Sequence, residues 1–540
     1  MFADLAIYNG QIVSMDQRHS HHEAMAVKHG RIVGMGAWQD ITPFIDKQTQ
    51  VINLEGRTVL PGFIDAHQHM IYFGTNLLNL DCNCTSIQDI VQAVEERAAF
   101  LNSDEWILGW GVDEAKLEEG RLPEASDFTH ISNPVYLTRF CLHTAIVNER
   151  VLNLAGINSQ TEAPSGGELL RDTQGNITGV LREKAMDLVQ QAIPPYTLDQ
   201  MKQAIALADE KYVEEGITSV HEAGMGFHTG SLEEFQAFQE LSHDGQLKVR
   251  VYGMVLDTFF SELKAMHLTT GFGNEQIKIG AVKMFADGTL SGRTAAVHEE
   301  YLDPAGFRGI LMYKDEELEE KVLAAHREGY QISIHAIGDR AVEQVIIAYE
   351  KALSSYPRTD HRHRIEHCAI CNPNLIARMQ KLGIIPVPQP GIYYLAGDVY
   401  NRVLKPQVLD GFYALASFME AGLKPAGSSD CPVVPASPFL GMYAAMTRKT
   451  RSGEDIVPEQ KLSLYEALQM YTNYGAYASF AEHELGSLEV GKFADFVVLP
   501  TGFMDFSAEQ VKDTKVEMTV IGGKIQYERV RKHAGNLHYG

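Results

Sequence analysis

Eight short apolar segments recur between residues 59 and 429, at 59–66, 218–222, 248–255, 277–285, 331–335, 363–367, 384–388 and 425–429, with stretches of helical character between many of them. Strands that alternate with helices form βαβ units with parallel strands, and eight such strands close a (β/α)8 barrel. The stretch "DEELEEKVLAAHREGY" shows the pattern: Leu318, Val322, Leu323 and His326 fall at helical spacing, and the strand-like "QISIHAIGD" follows. "SLYEALQMYTNYGAYAS" opens on the capping-box pair Ser463 and Glu466 and runs apolar through Leu464, Leu468 and Tyr471, which predicts one late helix closing the barrel. The stretch from about 75 to 200 is too long for a single connection and reads as an insertion, with a lid as one use for it.

The two ends follow a different rule. "DLAIYNGQIVSMD", "AMAVKHGRIVGMGAW" and "QVINLEGRTVLPGF" place Gly beside Asn, His or Glu between apolar residues, which is hairpin chemistry, and "LGSLEVGKFADFVVLP" and "VEMTVIGGKIQYERV" repeat the style. Residues 1–60 and 485–540 are therefore expected to pair into one small β domain, with 61–484 forming the barrel. A chain of 540 residues is long enough for both.

A net charge of -24 argues against nucleic-acid partners and anionic lipid surfaces. There is no secretory pattern at the start, no apolar stretch of membrane-spanning length, and the six cysteines are sparse, so a cytoplasmic protein with free thiols is expected. The CxxC formed by Cys368 and Cys371 has no second pair to complete a zinc site.

Barrels of this kind carry their chemistry at the carboxyl ends of the strands. Those ends hold His67 and His69, Lys283, His335, His367 and Asp430. His67 and His69 stand at i and i+2, so both face one side of a strand and offer half of a divalent-metal site. His335 and His367 each close a strand that the pattern reads as mostly apolar, a place for a hydrogen-bonded core histidine or for a further ligand. Lys283 shares strand parity with Ile277, Ile279 and Ala281, and an ammonium group buried there needs a partner. Either it pairs with Asp287 or Asp430, or it loses its charge through carboxylation by carbon dioxide and bridges metals. Asp430 in "GSSDCPV" suits a helix N-cap, or a metal ligand that also shuttles a proton.

The segments "LEGRTVLPGFIDAHQH", "VKMFADGTLSGRTA", "HAIGDRA", "RIEHC", "GSSDCPV" and "LGSLEVGKFADFVVL" together resemble the amidohydrolase superfamily, and are most similar to its amidohydrolase-3 branch of N-substituted formamide deformylase-like enzymes. The resemblance spans nearly the whole chain. It implies a distorted (β/α)8 barrel with a small β-sandwich built from both termini, and one or two divalent ions, zinc foremost. His67, His69 and Asp430 would hold the more buried ion, His335 and His367 the more exposed one, with carboxylated Lys283 as the bridge. It further implies attack of metal-bound hydroxide on a carbonyl, with Asp430 carrying the proton to the leaving nitrogen.

Asp287 and Arg293 lie just beyond the Lys283 strand, where contact with a small-molecule substrate is plausible, although Asp287 also suits an Asp-Gly turn. Trp106 and Trp110 of "EWILGWGVDE" form either packing in the insertion or an apolar substrate wall. Glu183, His143 and His221 are further pocket candidates, with structural roles as the plainer reading. Cleavage of a non-peptide amide leads; an esterase, lactonase or deaminase with the same metals is the alternative. A catalytically retired scaffold is a third reading. A homodimer is expected only on general grounds.

Overall fold

The computed structural model describes residues 2–139, 144–164, 166–302 and 306–530. The chain divides into two compact units, Met1–Met70 with Asp209–Gly540, and Ile71–Ala208. His143 and Cys141 lie outside the described residues.

The first unit is built on seven parallel strands: β1 (Phe63–Gln68), β2 (Ile217–Met225), β3 (Arg250–Leu256), β4 (Ile277–Phe285), β5 (Ile332–Ala336), β6 (Arg364–His367) and β7 (Ile385–Val387), paired in that order. They form a nearly closed barrel. The eighth segment, 425–429, is in place but is not a regular strand. It reaches β7 through the Ala426 N–H to the Pro386 carbonyl (3.0 Å). It reaches β1 through Asp430 N–H to His67 O (2.7 Å) and Ala66 N–H to Gly427 O (3.1 Å). Pro425 has no N–H to give and Gly427 no side chain to pack, so the ladder is broken here. Ser429 instead turns its N–H and hydroxyl onto the Asp65 carboxylate of β1.

The expected strand at 59–66 proves to be two. Thr58–Pro61 belongs to a different sheet from Phe63–Gln68. Gly62 marks the change of direction, where a Cβ would stand 2.2 Å from the Thr218 hydroxyl. The expected late helix is also two, Leu464–Met470 and Asn473–Ala478. The Ser463–Glu466 capping box is present, but Thr472 (φ -132°, ψ -89°) leaves the helical region and interrupts the run. Helix Asp315–Arg327 buries Leu318, Val322 and His326 as its periodicity predicts.

Strands from both ends of the chain meet in one six-stranded sheet that includes Gln11–Val13, Thr58–Pro61, Phe496–Leu499 and Met518–Ile521. A four-stranded sheet (Leu5–Tyr8, Ala24–Lys28, Arg31–Gly36, Gln50–Asn53) shares an apolar core with it, made of Leu5, Ile7, Met25, Ile12, Phe496 and Val520 among others.

The second unit contains a six-stranded mixed sheet, including Ile107–Val112, Val135–Arg139 and Ile177–Glu183, with two apolar cores. Trp106 packs against one of these cores. Trp110 is exposed and its indole N–H donates to the Asn76 carbonyl (3.2 Å). Glu183 ends its strand in an exposed position at φ 51°. No helix among the described residues is long and apolar enough to cross a membrane.

Candidate metal centre

Strand alternation sends His67 to the inside of the barrel at the end of β1, and His69 follows it just beyond, held by its N–H to the Cys431 carbonyl (2.8 Å). His335 arrives on β5 and His367 on β6. The four rings form a cluster: centroids of His67 and His69 lie 5.5 Å apart, His67 and His367 4.9 Å, His335 and His367 4.3 Å. Asp430 enters from the irregular eighth segment, its Oδ1 3.3 Å from His67 Nε2 and 3.2 Å from His69 Nε2. One ligand atom each from His67, His367 and Asp430 lies within 4.8 Å of the others, a spacing that suits a metal ion.

Two of these residues sit in costly backbone conformations. His367 (φ 66°) and Asp430 (φ 59°) occupy the left-handed region without being glycine. Each costs about 1–2 kcal/mol, which the surrounding structure must offset. In His367 the cost reverses strand alternation, so that Glu366 and His367 both reach towards His67. The Asp430 carboxylate goes to two imidazoles and no helix begins before Pro438, so it caps none.

The rings are held from behind. His67 Nδ1 meets Glu366 Oε2 (2.5 Å), and His367 Nδ1 meets Gln389 Oε1 (2.7 Å), which leaves Nε2 of each ring directed at the cluster. Gln389 is itself fixed, its amide donating to the Val387 carbonyl and the Ser428 hydroxyl. His335 Nε2 is taken by the Gly288 carbonyl (3.0 Å), which leaves its Nδ1.

Lys283 is completely buried on β4, and its Nζ has no hydrogen-bond partner. It pairs with neither Asp287 nor Asp430, although Glu366 and Asp430 are close enough to act on its charge. Burial outweighs those carboxylates and brings its pKa from 10.5 to about 8. Burial, then the Lys283 charge, brings His335 down to about 3, and burial lowers His367 well below the usual imidazole range. For Asp430 burial works upwards, but hydrogen bonds from His67 and His69 hold the carboxyl well below the ordinary range. The described centre thus holds the imidazoles of His335 and His367 kept neutral by burial, the Asp430 carboxylate and an amine without a hydrogen-bond partner, beside the rings of His67 and His69.

Asp287 is buried and its carboxylate accepts three backbone N–H groups, from Ala296 (2.8 Å), Ile337 (3.0 Å) and Gly338 (2.9 Å), so it ties the loops after β4 and β5 together. Arg293 stands half-buried on the loop after β4 at φ 57°. His221 is buried on β2, where its Nδ1 accepts from Arg364 (2.9 Å). Cys368 and Cys371 are buried free thiols, each with its sulfur 3.9 Å from the Met379 sulfur. Sequence reasoning missed Glu366, Gln389 and the ring pair Phe227 and Phe285, which spans from His69 to His335. A signal for Glu366 existed: Arg364 and Glu366 stand at i and i+2, so two opposite charges share one face of a short strand.

The sequence model of a family described as "Amidohydrolase family" matches residues 50–527. The Bacillus subtilis protein YtcJ is 31% identical over 97% of this chain and 99% of its own. N-substituted formamide deformylase of Arthrobacter pascens is 28% identical over 97% of this chain and 98% of its own. Among solved structures, an uncharacterized metal-dependent hydrolase from Pyrococcus furiosus is similar with a TM-score of 0.78 and 26% identity, over 93% of this chain and 99% of that one.

Proposed function

Because the chain belongs to the amidohydrolase family, we propose that it is a metal-dependent hydrolase of a non-peptide carbon–nitrogen bond in a small molecule, such as an N-substituted formamide, another N-acyl compound or a cyclic amide. The observation that carries the reading is the orphaned Lys283 amine beside converging imidazoles and Asp430. An ammonium group left there is a liability, whereas a carbamate made from the neutral amine and carbon dioxide gives an anion that suits a cation. With a pKa of about 8, about a tenth of the amine is neutral at pH 7 and able to react. Imidazole nitrogen with carboxylate oxygen is a donor set that suits zinc.

In this reading His67, His69, Lys283, His335, His367 and Asp430 hold one or two divalent ions. Such an ion supplies Lewis acidity towards the carbonyl and a water of lowered pKa. Asp430, a carboxylate at ordinary pH, takes the proton released by the attacking water and returns it to the leaving nitrogen. Arg293 keeps its place as a substrate contact in the proposal, while Asp287 acts as a loop anchor. Relatives support the bond type: one of them is named a deformylase of N-substituted formamides. Free thiols at all five described cysteines accord with a cytoplasmic setting.

The test is metal content, measured by elemental analysis of wild type and Lys283→Ala purified without chelator, followed by a screen of N-formyl, N-acyl and cyclic amides against esters. Near-stoichiometric metal that falls in the variant, with turnover of amides, is the expected result. Wild-type protein that stays metal-free after incubation with zinc and bicarbonate overturns the reading.

A further inference from the structure

Glu366 is fully buried and both its oxygens are engaged. Oε1 accepts from Arg364 Nε (2.7 Å) and the Ser333 hydroxyl (2.8 Å); Oε2 accepts from the second arm of Arg364 (3.0 Å) and meets His67 Nδ1 (2.5 Å). The Arg364 guanidinium, also fully buried, is fixed in turn by the Ala66 carbonyl (2.6 Å) and by His221 Nδ1 (2.9 Å). The carboxylate therefore has one orientation, set from behind, and presents one free direction to one ring.

We propose that Glu366 is a positioning residue of the metal centre. Its Oε2 takes the Nδ1–H of His67, which selects one tautomer and one ring plane and leaves Nε2 as the only ligating nitrogen. Arg364 and Ser333 hold the carboxylate that does this. The proposal rests on the reading of His67 as a metal ligand. An ion pair at this depth has little to recommend it on stability grounds, because well-packed apolar residues of similar volume serve as well or better. What apolar residues cannot do is hold an imidazole in a chosen tautomer.

Removing Glu366 alone strands the Arg364 charge in the core, so the test uses the double variant Arg364→Met with Glu366→Leu. Glu366→Gln, which keeps the shape and offers a weaker neutral acceptor, is the second variant. Zinc affinity is measured by competition with a chromophoric chelator, and the visible bands of the cobalt-substituted protein report ligand geometry. Folding is checked by near-ultraviolet circular dichroism. The double variant is expected to lose about 10- to 100-fold in zinc affinity and to alter the cobalt bands, with Glu366→Gln moving in the same direction. Ser333→Ala removes one of the bonds that hold Oε1 but leaves both Arg364 bonds and the contact of Oε2 with His67, so it is expected to lose less affinity than the double variant. Wild-type affinity and bands in the folded double variant, or in Glu366→Gln if the double does not fold, overturn the proposal. So does an equal loss in Ser333→Ala, because the effect would then reflect general integrity of the core. His67→Ala separates the premise: if it binds zinc as wild type does, the metal-ligand reading of His67 fails first.

Discussion

Replacing Lys283 by Met should stabilise the metal-free protein. The amine is fully buried without a hydrogen-bond partner, and its pKa falls from 10.5 to about 8 on folding. At about 1.4 kcal/mol for each pH unit, that fall corresponds to about 3 kcal/mol. Between pH 8 and 10.5 the unfolded chain holds the proton more firmly than the folded one, so wild-type stability rises with pH across this window. Below pH 8 the penalty is present in full. Met fills similar space without charge, so Lys283→Met gains up to about 3 kcal/mol at pH 7, and the gain disappears by pH 10.5. The assay is urea denaturation followed by far-ultraviolet circular dichroism, in chelator-treated buffer stripped of carbon dioxide, at pH 7 and pH 10.5. Adding zinc and bicarbonate should reverse the order, since a ligand bound only by the folded wild type stabilises only the wild type. A variant less stable than wild type at pH 7 without metal refutes the reasoning, because the amine would then have a partner worth more than its burial costs.

Burial lowers the pKa of His326, His361 and His363, whose nitrogens are engaged in a chain: His326 Nδ1 to His363 Nε2 (2.8 Å), His361 Nε2 to the Leu382 carbonyl, His326 Nε2 to the Tyr356 carbonyl. Groups held neutral by folding contribute stability above their unfolded value of about 6.5 that is lost as pH falls below it, so urea midpoints should drop between pH 6.5 and 5. His363→Phe should flatten that slope by up to about 1.4 kcal/mol per pH unit. Asp287→Ala leaves three buried N–H groups without their acceptor and should cost about 3 kcal/mol in urea denaturation; a raised KM at unchanged stability would make it a substrate contact instead. Gly441→Ala puts a Cβ 1.8 Å from the hydroxyl of buried Tyr471 and should cost about 1–3 kcal/mol, seen as a lower melting temperature. An unchanged melting temperature would mean that Tyr471 moves freely.

The barrel was legible because its strands announce themselves twice, as apolar runs and as polar residues at their last positions. His67, His335 and His367 were found that way, and the structure brings them together with His69 and Asp430. Position alone told less about partners. Alternation puts Glu366 on the face opposite His367, and only the left-handed φ of His367, which no local residue preference signals, turns both towards His67. The eighth segment looked like a strand because small apolar residues permit one; Pro425 and Gly427 argue against a regular ladder, and the segment is held by single bonds instead. In the 463–479 run the apolar spacing continued through Thr472 while the backbone did not. Gln389 follows a short strand in a proline-rich stretch, where no pattern in the sequence marks it, and only the folded backbone brings its amide oxygen to His367.

The closure of the barrel also sets a clock. Asp65 and Ser429, whose bonds join the first strand to the eighth segment, are 364 residues apart in the chain. At about 5–20 residues per second, synthesis needs about 20–70 s to travel that distance. Throughout that interval His67 and His69 are already made while Asp430 is not. On the proposed reading, the nascent chain carries a histidine pair that offers only part of the site, and the six proposed ligands are all present only once Asp430 has been made, 364 residues after Ala66. On that reading, metal uptake belongs to the end of biogenesis, when the ring is closed.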